Sequence, residues 1–252
     1  MEIDYNKIID FIRISGTRLK KKCGKIADIG VTKAYLTEED LVIERGFKEI
    51  ISSFGDNHIL YAEEENDTFY DKENVWVADP VSGTKCFING EKHYSIVIAH
   101  LKKGKVIFSA VYDPSVDEFY VAYLDKGAYL NDKRITVSTG KNRVILRPSS
   151  GWKDQSVIDK AKIALTSYYV EGNSYSLAVN YCWVASGRFD GIVSFTKDSF
   201  PEFAGGFILQ QAGGRFTNIN GISDIISTDR IFIGGNQNVY DDLFKLIRQI
   251  VN

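Results

Sequence analysis

The rhythm of this chain changes near residue 140, and that change limits the folds open to it. Between residues 94 and 135 the apolar positions gather into short strand-like runs, 94–101, 106–112 and 118–123, followed by a hairpin-like stretch at 127–135. The runs are joined by Lys102-Lys103-Gly104-Lys105 and Asp113-Pro114-Ser115-Val116. Connections this short suit antiparallel neighbours and leave no room for a crossover helix. Beyond the polar segment Thr139-Gly140-Lys141-Asn142 strands and helices alternate. Strands are expected at 144–147, 168–171, 191–195, 215–219 and 231–234, and helices at 154–165, 175–186, 202–212 and 240–250. Two amphipathic helices precede the hairpins. One, at 5–22, carries Ile8, Ile9, Phe11, Ile12 and Leu19; the other carries Leu41 to Phe54 behind an N-cap at Thr37. The expected organisation is an α+β unit over residues 1–140, two helices on an antiparallel sheet, and an α/β unit over 141–252.

Composition narrows the function. With 44% hydrophobic and 25% charged residues, the chain has the make-up of a soluble globular protein. A net charge of −2 offers no strong field for nucleic acid or an anionic membrane, so direct binding of either is not expected. No apolar run approaches the roughly 20 residues of a membrane span, and the N-terminus lacks the layout of a signal peptide. The three cysteines, Cys23, Cys86 and Cys182, are odd in number and far apart, which points to a reduced, cytoplasmic protein. His58, His93 and His100 lack helical ligand spacing, so a metal here would be a hard cation held by carboxylates. The basic run Arg18, Lys20, Lys21, Lys22 reads either as a nucleic-acid or phosphoinositide patch or as cations favoured at a helix C-terminus, and the second reading is preferred.

The stretch from Val75 to Phe87 carries the chemistry. Val75-Trp76-Val77-Ala78 reads as a buried strand, expected to stop at Asp79-Pro80 because proline cannot donate to a ladder. Ser82-Gly83-Thr84 then forms a small turn whose N–H groups can face a ligand. A strand-end carboxylate followed by such a turn could hold a metal ion beside an oxyanion; Asp-Pro is also an ordinary turn opener.

Four segments fall in one order: Tyr61-Ala62-Glu63-Glu64, then residues 76–84, then Gly127-Ala128-Tyr129-Leu130-Asn131, then Glu202-Phe203-Ala204-Gly205 running into Gln211-Ala212-Gly213-Gly214. Together they resemble the inositol monophosphatase family of lithium-sensitive, magnesium-dependent phosphatases, over nearly the whole chain. The resemblance implies a layered α-β-α-β-α sandwich with its active site between the halves, and commonly a homodimer. It implies hydrolysis of a small phosphomonoester, an inositol, sugar or nucleotide phosphate, with Mg²⁺ holding and polarising the phosphate. Carried over residue by residue, Glu63 matches the family's Gly-Glu-Glu glutamate, with Ala62 in place of the glycine. Asp79 matches the aspartate shared by two metals, and the Val81 carbonyl the backbone ligand. Gly83 and Thr84 match the phosphate-facing pair, Thr84 also orienting the attacking water.

Other positions depart from the pattern. Ser82 stands where the family has a second aspartate. Glu202 stands for the aspartate of Trp-Asp-x-Ala-Gly, either as a metal ligand or as a charge complementing a helix dipole. Thr32 falls at the place of an aspartate that pairs with the threonine, a role open to Asp28 only through an insertion. Phe195 falls where inositol-specific members place a glutamate. Trp76 and Trp183 are expected in the core. Two readings follow: a Mg²⁺-dependent phosphatase with weakened activity, or a phosphatase-fold protein kept for binding, such as a factor in transcription antitermination.

Overall fold

Seven strands pair in chain order into one sheet: β1 (His58–Ala62), β2 (Asn74–Ser82), β3 (Ser95–Lys102), β4 (Lys105–Asp113), β5 (Glu118–Tyr123), β6 (Gly127–Leu130) and β7 (Lys133–Ile135). The structure, a computed structural model, describes residues 3–31, 35–64, 73–149 and 151–251. β1 and β2 are parallel, and every later neighbour is antiparallel, as the short turns from β3 onward require. Period-2 alternation splits each central strand between two cores. Val75 and Val77 face one side of the sheet, with Val97 and Ala99 of β3. Trp76 and Ala78 face the other, with Ile96 and Ile98. On that second side lie α1 (Asn6–Lys22) and α2 (Glu38–Ser52), which contribute Ile8, Ile12, Ile43 and Phe47. A short helix, α3 (Thr84–Asn89), follows β2 directly.

The second sheet has the order β11-β12-β10-β8-β9, built from β8 (Arg143–Pro148), β9 (Tyr169–Glu171), β10 (Gly191–Phe195), β11 (Arg215–Asn218) and β12 (Ile231–Gly235). β8 is parallel to both β9 and β10, while β12 is antiparallel to its neighbours. Among the described residues the remaining helices are α4 (Gln155–Ala164), α5 (Leu177–Ala185), α6 (Phe200–Gln211) and α7 (Tyr240–Val251). All nine residues of α5 are buried, and so are ten of the twelve of α6. A helix that is apolar on every side belongs in an interior. These two helices touch both sheets and share one core with them, which includes Val97, Val111, Val179, Ile208, Ile192 and Phe232. α4 and α7 cover the far face of the second sheet through Ile158, Ala161, Leu243 and Ile247. The layers therefore run α-β-α-β-α. Among the described residues no helix is long and apolar enough to cross a membrane.

Two expectations need correction. β2 does not stop at Asp79-Pro80 but continues to Ser82. Asp79 pairs with Val97 and Ser82 with Ser95, so the β2 side carries one residue more than its partner between these pairs. Pro80 sits in that bulge, where no ladder N–H is asked of it. The basic run, in turn, does more than complement a dipole. Arg18 and Lys22 both grip Glu39 of α2, each at 2.6 Å. Burial pushes the Glu39 carboxyl up, but the hydrogen bonds from Lys22 and Arg18 prevail and hold it below its usual range. The run clasps α1 to α2.

Candidate active site

A cleft of about 420 Å³ opens where the parallel strands of both sheets end. Ligands of open α/β sheets gather at the carboxyl ends of strands, because chains leaving parallel strands diverge there and expose side chains and peptide groups. Glu63 is the first residue after β1, and Asp79, Val81 and Ser82 close β2. Arg147 and Pro148 end β8, Tyr175 follows β9, and Thr196, Lys197 and Asp198 follow β10.

The turn between β2 and α3 depends on glycine. Gly83 has φ +78°, and a Cβ there would lie 3.0 Å from the Ser176 nitrogen and 3.3 Å from the Ser176 Cα. Only glycine allows both that conformation and that approach. The turn thus presses against the segment that starts α5. Thr84 opens α3, and its hydroxyl donates to the Val81 carbonyl at 2.6 Å. The carbonyl keeps a second lone pair, and the hydroxyl oxygen keeps its acceptor capacity.

Cations and carboxylates alternate around the opening. Lys197 Nζ lies 3.6 Å from Glu63 Oε1 and 3.7 Å from Asp198 Oδ2. Asp198 was not singled out from the sequence. The signal was available: it is an acid just past the end of a strand, as Glu63 is.

Glu202 is not with them, contrary to expectation. Its side chain is fully buried, Oε1 accepts from Ser194 Oγ at 3.4 Å, and Oε2 has no hydrogen-bond partner. It borders a separate cavity of about 250 Å³ with Phe203, Phe207 and Phe216, while Pro201, one residue earlier, lines the cleft. Successive helix residues point about 100° apart, so one position of register moves a side chain from the cleft into the interior. Burial, with the nearby Asp198 charge adding to it, pushes the Glu202 carboxyl well above its usual range. Its carboxyl group is turned into the interior, away from the cleft that Glu63 and Asp79 line.

Thr32 lies outside the described residues. Asp28 is occupied within its own loop, where it accepts N–H groups of Gly30, Tyr35 and Leu36 at 2.9, 3.0 and 3.1 Å. These bonds hold its pKa down, and one of them holds the Tyr35 N–H, whose residue lines the cleft. Phe195, Trp76 and Trp183 are core residues.

Whether Mg²⁺ fits can be judged from the donors. Glu63, Asp79 and the Val81 carbonyl offer hard oxygens on one wall. Among the described residues no three His, Cys, Asp or Glu side chains gather into a cage. One or two carboxylates with several retained waters is the ligand set Mg²⁺ prefers. The residues fit one such ion. Ser82, beside them, adds a neutral hydroxyl to the cleft lining.

Behind Glu63 stands Asp40, fully buried and accepting the Thr37 N–H at 2.9 Å. Burial raises its pKa to about 7 against the bonds from Thr37, and the charges of Glu64 and Glu63 raise it further. Between about pH 4 and pH 7 the folded protein then holds a proton that the unfolded chain has released, so stability falls as pH rises through that window. Asp40→Asn should flatten this slope and stabilise the metal-free protein at pH 8 by on the order of 2–4 kcal/mol. Urea unfolding in EDTA at pH 5 and pH 8 measures it; an unchanged slope refutes it.

An α-β-α-β-α sandwich whose strand ends place carboxylates, a glycine-threonine turn and fixed cations around one cleft defines a structural class. The chain belongs to the inositol monophosphatase family, whose model matches residues 7–252. Its relatives carry two kinds of name. A putative Nus factor SuhB of Neisseria meningitidis serogroup A is 33% identical over 181 residues, 69% of this chain and 69% of its own. The fructose-1,6-bisphosphatase/inositol-1-monophosphatase of Aquifex aeolicus is 30% identical over 249 residues, covering 93% of this chain and 91% of its own. Among solved structures, the Thermotoga maritima IMPase matches with a TM-score of 0.83 and 26% identity, over 97% of this chain and 96% of that one.

Proposed function

We propose that this protein hydrolyses a small phosphomonoester with the help of Mg²⁺, at a rate lowered by the neutral side chain of Ser82. The observation that carries the reading is the meeting of Glu63, Asp79, Val81, Ser82, Gly83 and Thr84 on one cleft wall. Glu63, Asp79 and the Val81 carbonyl would hold the ion. When bound, Mg²⁺ lowers the pKa of a coordinated water and neutralises charge on phosphoryl oxygens. The chain supplies the rest. N–H groups at the Gly83-Thr84 turn receive phosphate oxygens at the start of α3. The Thr84 hydroxyl donates to Val81, so its oxygen lone pairs are left to accept from the attacking water and orient it. That water's oxygen bonds to phosphorus as the ester oxygen leaves, taking up a proton. Asp198, across the opening, is the carboxylate of the second half in place of Glu202.

The test is calorimetry with Mg²⁺, with and without inorganic phosphate, beside phosphate release from a panel of sugar, polyol and nucleotide monophosphates. Asp79→Asn should lower Mg²⁺-dependent release at least about 10²-fold, the scale of removing one preorganised electrostatic partner. Release that is independent of Mg²⁺, or untouched by Asp79→Asn, would refute the reading.

A second reading is favoured by Lys197, whose ammonium already sits on Glu63. A cleft charge-balanced by lysine, with Ser82 for a carboxylate, suits a protein retained for binding, as the Nus-factor name of one relative suggests. Binding of Mg²⁺ and phosphate without turnover on any ester would select it. Either form is taken to act as a cytoplasmic homodimer. The compartment is supported by three unpaired cysteines; the dimer rests on the family resemblance and is checked by light scattering.

A further inference from the structure

Arg147, near the end of β8, lines the cleft. Two of its N–H groups are anchored: Nη1 donates to the Pro148 carbonyl at 2.7 Å and Nη2 to the Tyr175 carbonyl at 2.9 Å. Nε is closed off from solvent and hydrogen-bonds to nothing. Among the described residues no carboxylate forms an ion pair with it, whereas the cleft's own Lys197 lies near two. The ionisable neighbours that act on it are Cys86 and Glu202. Both are buried, and neither bonds to the guanidinium: the Cys86 thiol donates to the Ser174 carbonyl, and Glu202 Oε1 accepts from Ser194. A guanidinium stays charged under these conditions. The fold therefore carries a fixed, largely buried cation with no carboxylate in ion-pair contact among the described residues, a standing cost that a ligand anion can relieve.

Its position says which anion. The peptide group joining Tyr175 to Ser176 receives Arg147 on its carbonyl oxygen, and Gly83 presses against its nitrogen. Arg147 and the Gly83-Thr84 turn thus flank one peptide unit and face one cleft. We infer that Arg147 is a phosphate-binding residue of this cleft, a resident cation that lets it hold a phosphate group without a divalent metal ion. The planar fork, with two arms fixed on carbonyls, leaves the second N–H of Nη1 and of Nη2 preorganised for oxyanion recognition. The device suits a site in which Ser82 has weakened the place for a second metal. The inference deepens the proposed function, since it concerns the same cleft, but its test is separable.

Inorganic phosphate is titrated into the full-length protein in EDTA, followed by calorimetry and ³¹P line broadening. Wild type should bind; Arg147→Gln, which keeps donors for the two carbonyls, should bind at least tenfold more weakly. Arg147→Lys should fall between them, because it keeps the charge but loses the fork. Thermal unfolding of each variant shows whether the fold is kept; should Arg147→Gln not fold, the lysine variant and the wild-type titration decide. Phosphate binding that requires Mg²⁺ in wild type, or equal affinity in a folded Arg147→Gln, overturns the inference. A protein that binds phosphate in EDTA through Arg147 but hydrolyses nothing with Mg²⁺ fails the hydrolase reading alone. One that hydrolyses esters but binds phosphate only with Mg²⁺ fails this inference alone.

Discussion

Gly83→Ala is expected to cost about 2–4 kcal/mol of stability and to abolish phosphate binding, though it adds a single methyl group. Part of the loss is conformational, since a residue with a Cβ pays roughly 1–2 kcal/mol in the left-handed region. The larger part is steric. The new Cβ would stand 3.0 Å from the Ser176 nitrogen and 3.3 Å from its Cα, both backbone atoms that cannot rotate away. Relief requires the turn and the start of α5 to separate, and that separation moves the Gly83-Thr84 N–H groups from Arg147. Gly104 is the built-in control: it has the same φ of +78° but nothing within 4 Å of its would-be Cβ. Gly104→Ala should therefore show the conformational part alone. Urea unfolding of both variants, with phosphate titration of the folded fraction, separates the two terms. Equal losses in the two variants, or intact phosphate binding in Gly83→Ala, would show that the turn is not the cradle.

Much of this fold is legible in the chain because local pattern and tertiary placement agree. The alternation of Val75, Trp76, Val77 and Ala78 announces a strand with two apolar faces, and both faces are covered. The largely apolar Leu177–Ala185 segment falls within the helix expected at 175–186 and lies between the sheets. Asp154 and Ser176 are N-caps that accept helix N–H groups. The bulge at Pro80 was not legible. Proline usually ends a ladder, and whether a partner strand will tolerate an extra residue depends on its own register.

The site was legible on one wall only. Glu63, Asp79 and the Ser82-Gly83-Thr84 turn are continuous in sequence with the strands that place them, so a local motif specifies them. The opposite wall is assembled from the ends of β8, β9 and β10, where no local motif marks the residues. Glu202 matches the family aspartate in charge, but helical phase turns its side chain inward, and only tertiary structure distinguishes it from Pro201 or Asp198, which line the cleft. Arg147 gave no sequence signal at all. An arginine at a strand end is ordinary until its lack of an anionic partner is seen.

Restoring the missing carboxylate is the prediction with the largest expected gain. Ser82→Asp places a second acid at the end of β2, three residues from Asp79, at a position only 4% exposed. In EDTA the substitution should destabilise the protein by about 1–3 kcal/mol, because a buried carboxyl gains like-charged neighbours and no partner. Mg²⁺ should reverse the loss, since two acids and the Val81 carbonyl then share its charge; binding to the folded state alone stabilises by mass action. The release rate should rise about 10²-fold, the scale of one electrostatic contact made in the transition state. Lys197 limits that gain, since its ammonium competes with the ion for Glu63 at 3.6 Å and for Asp198 at 3.7 Å. Lys197→Ala alone should tighten Mg²⁺ binding severalfold. Combined with Ser82→Asp, it should do more than the two separate effects predict, because both act on one set of oxygens. Glu202→Asp should add nothing, as that side chain lies in the interior. Unfolding curves with and without Mg²⁺ are the deciding measurement, because they report occupancy even where turnover stays low. If Mg²⁺ fails to rescue the stability of Ser82→Asp, the carboxylates do not converge on an ion. If it rescues stability without raising release, the cleft binds metal but no longer supports the chemistry.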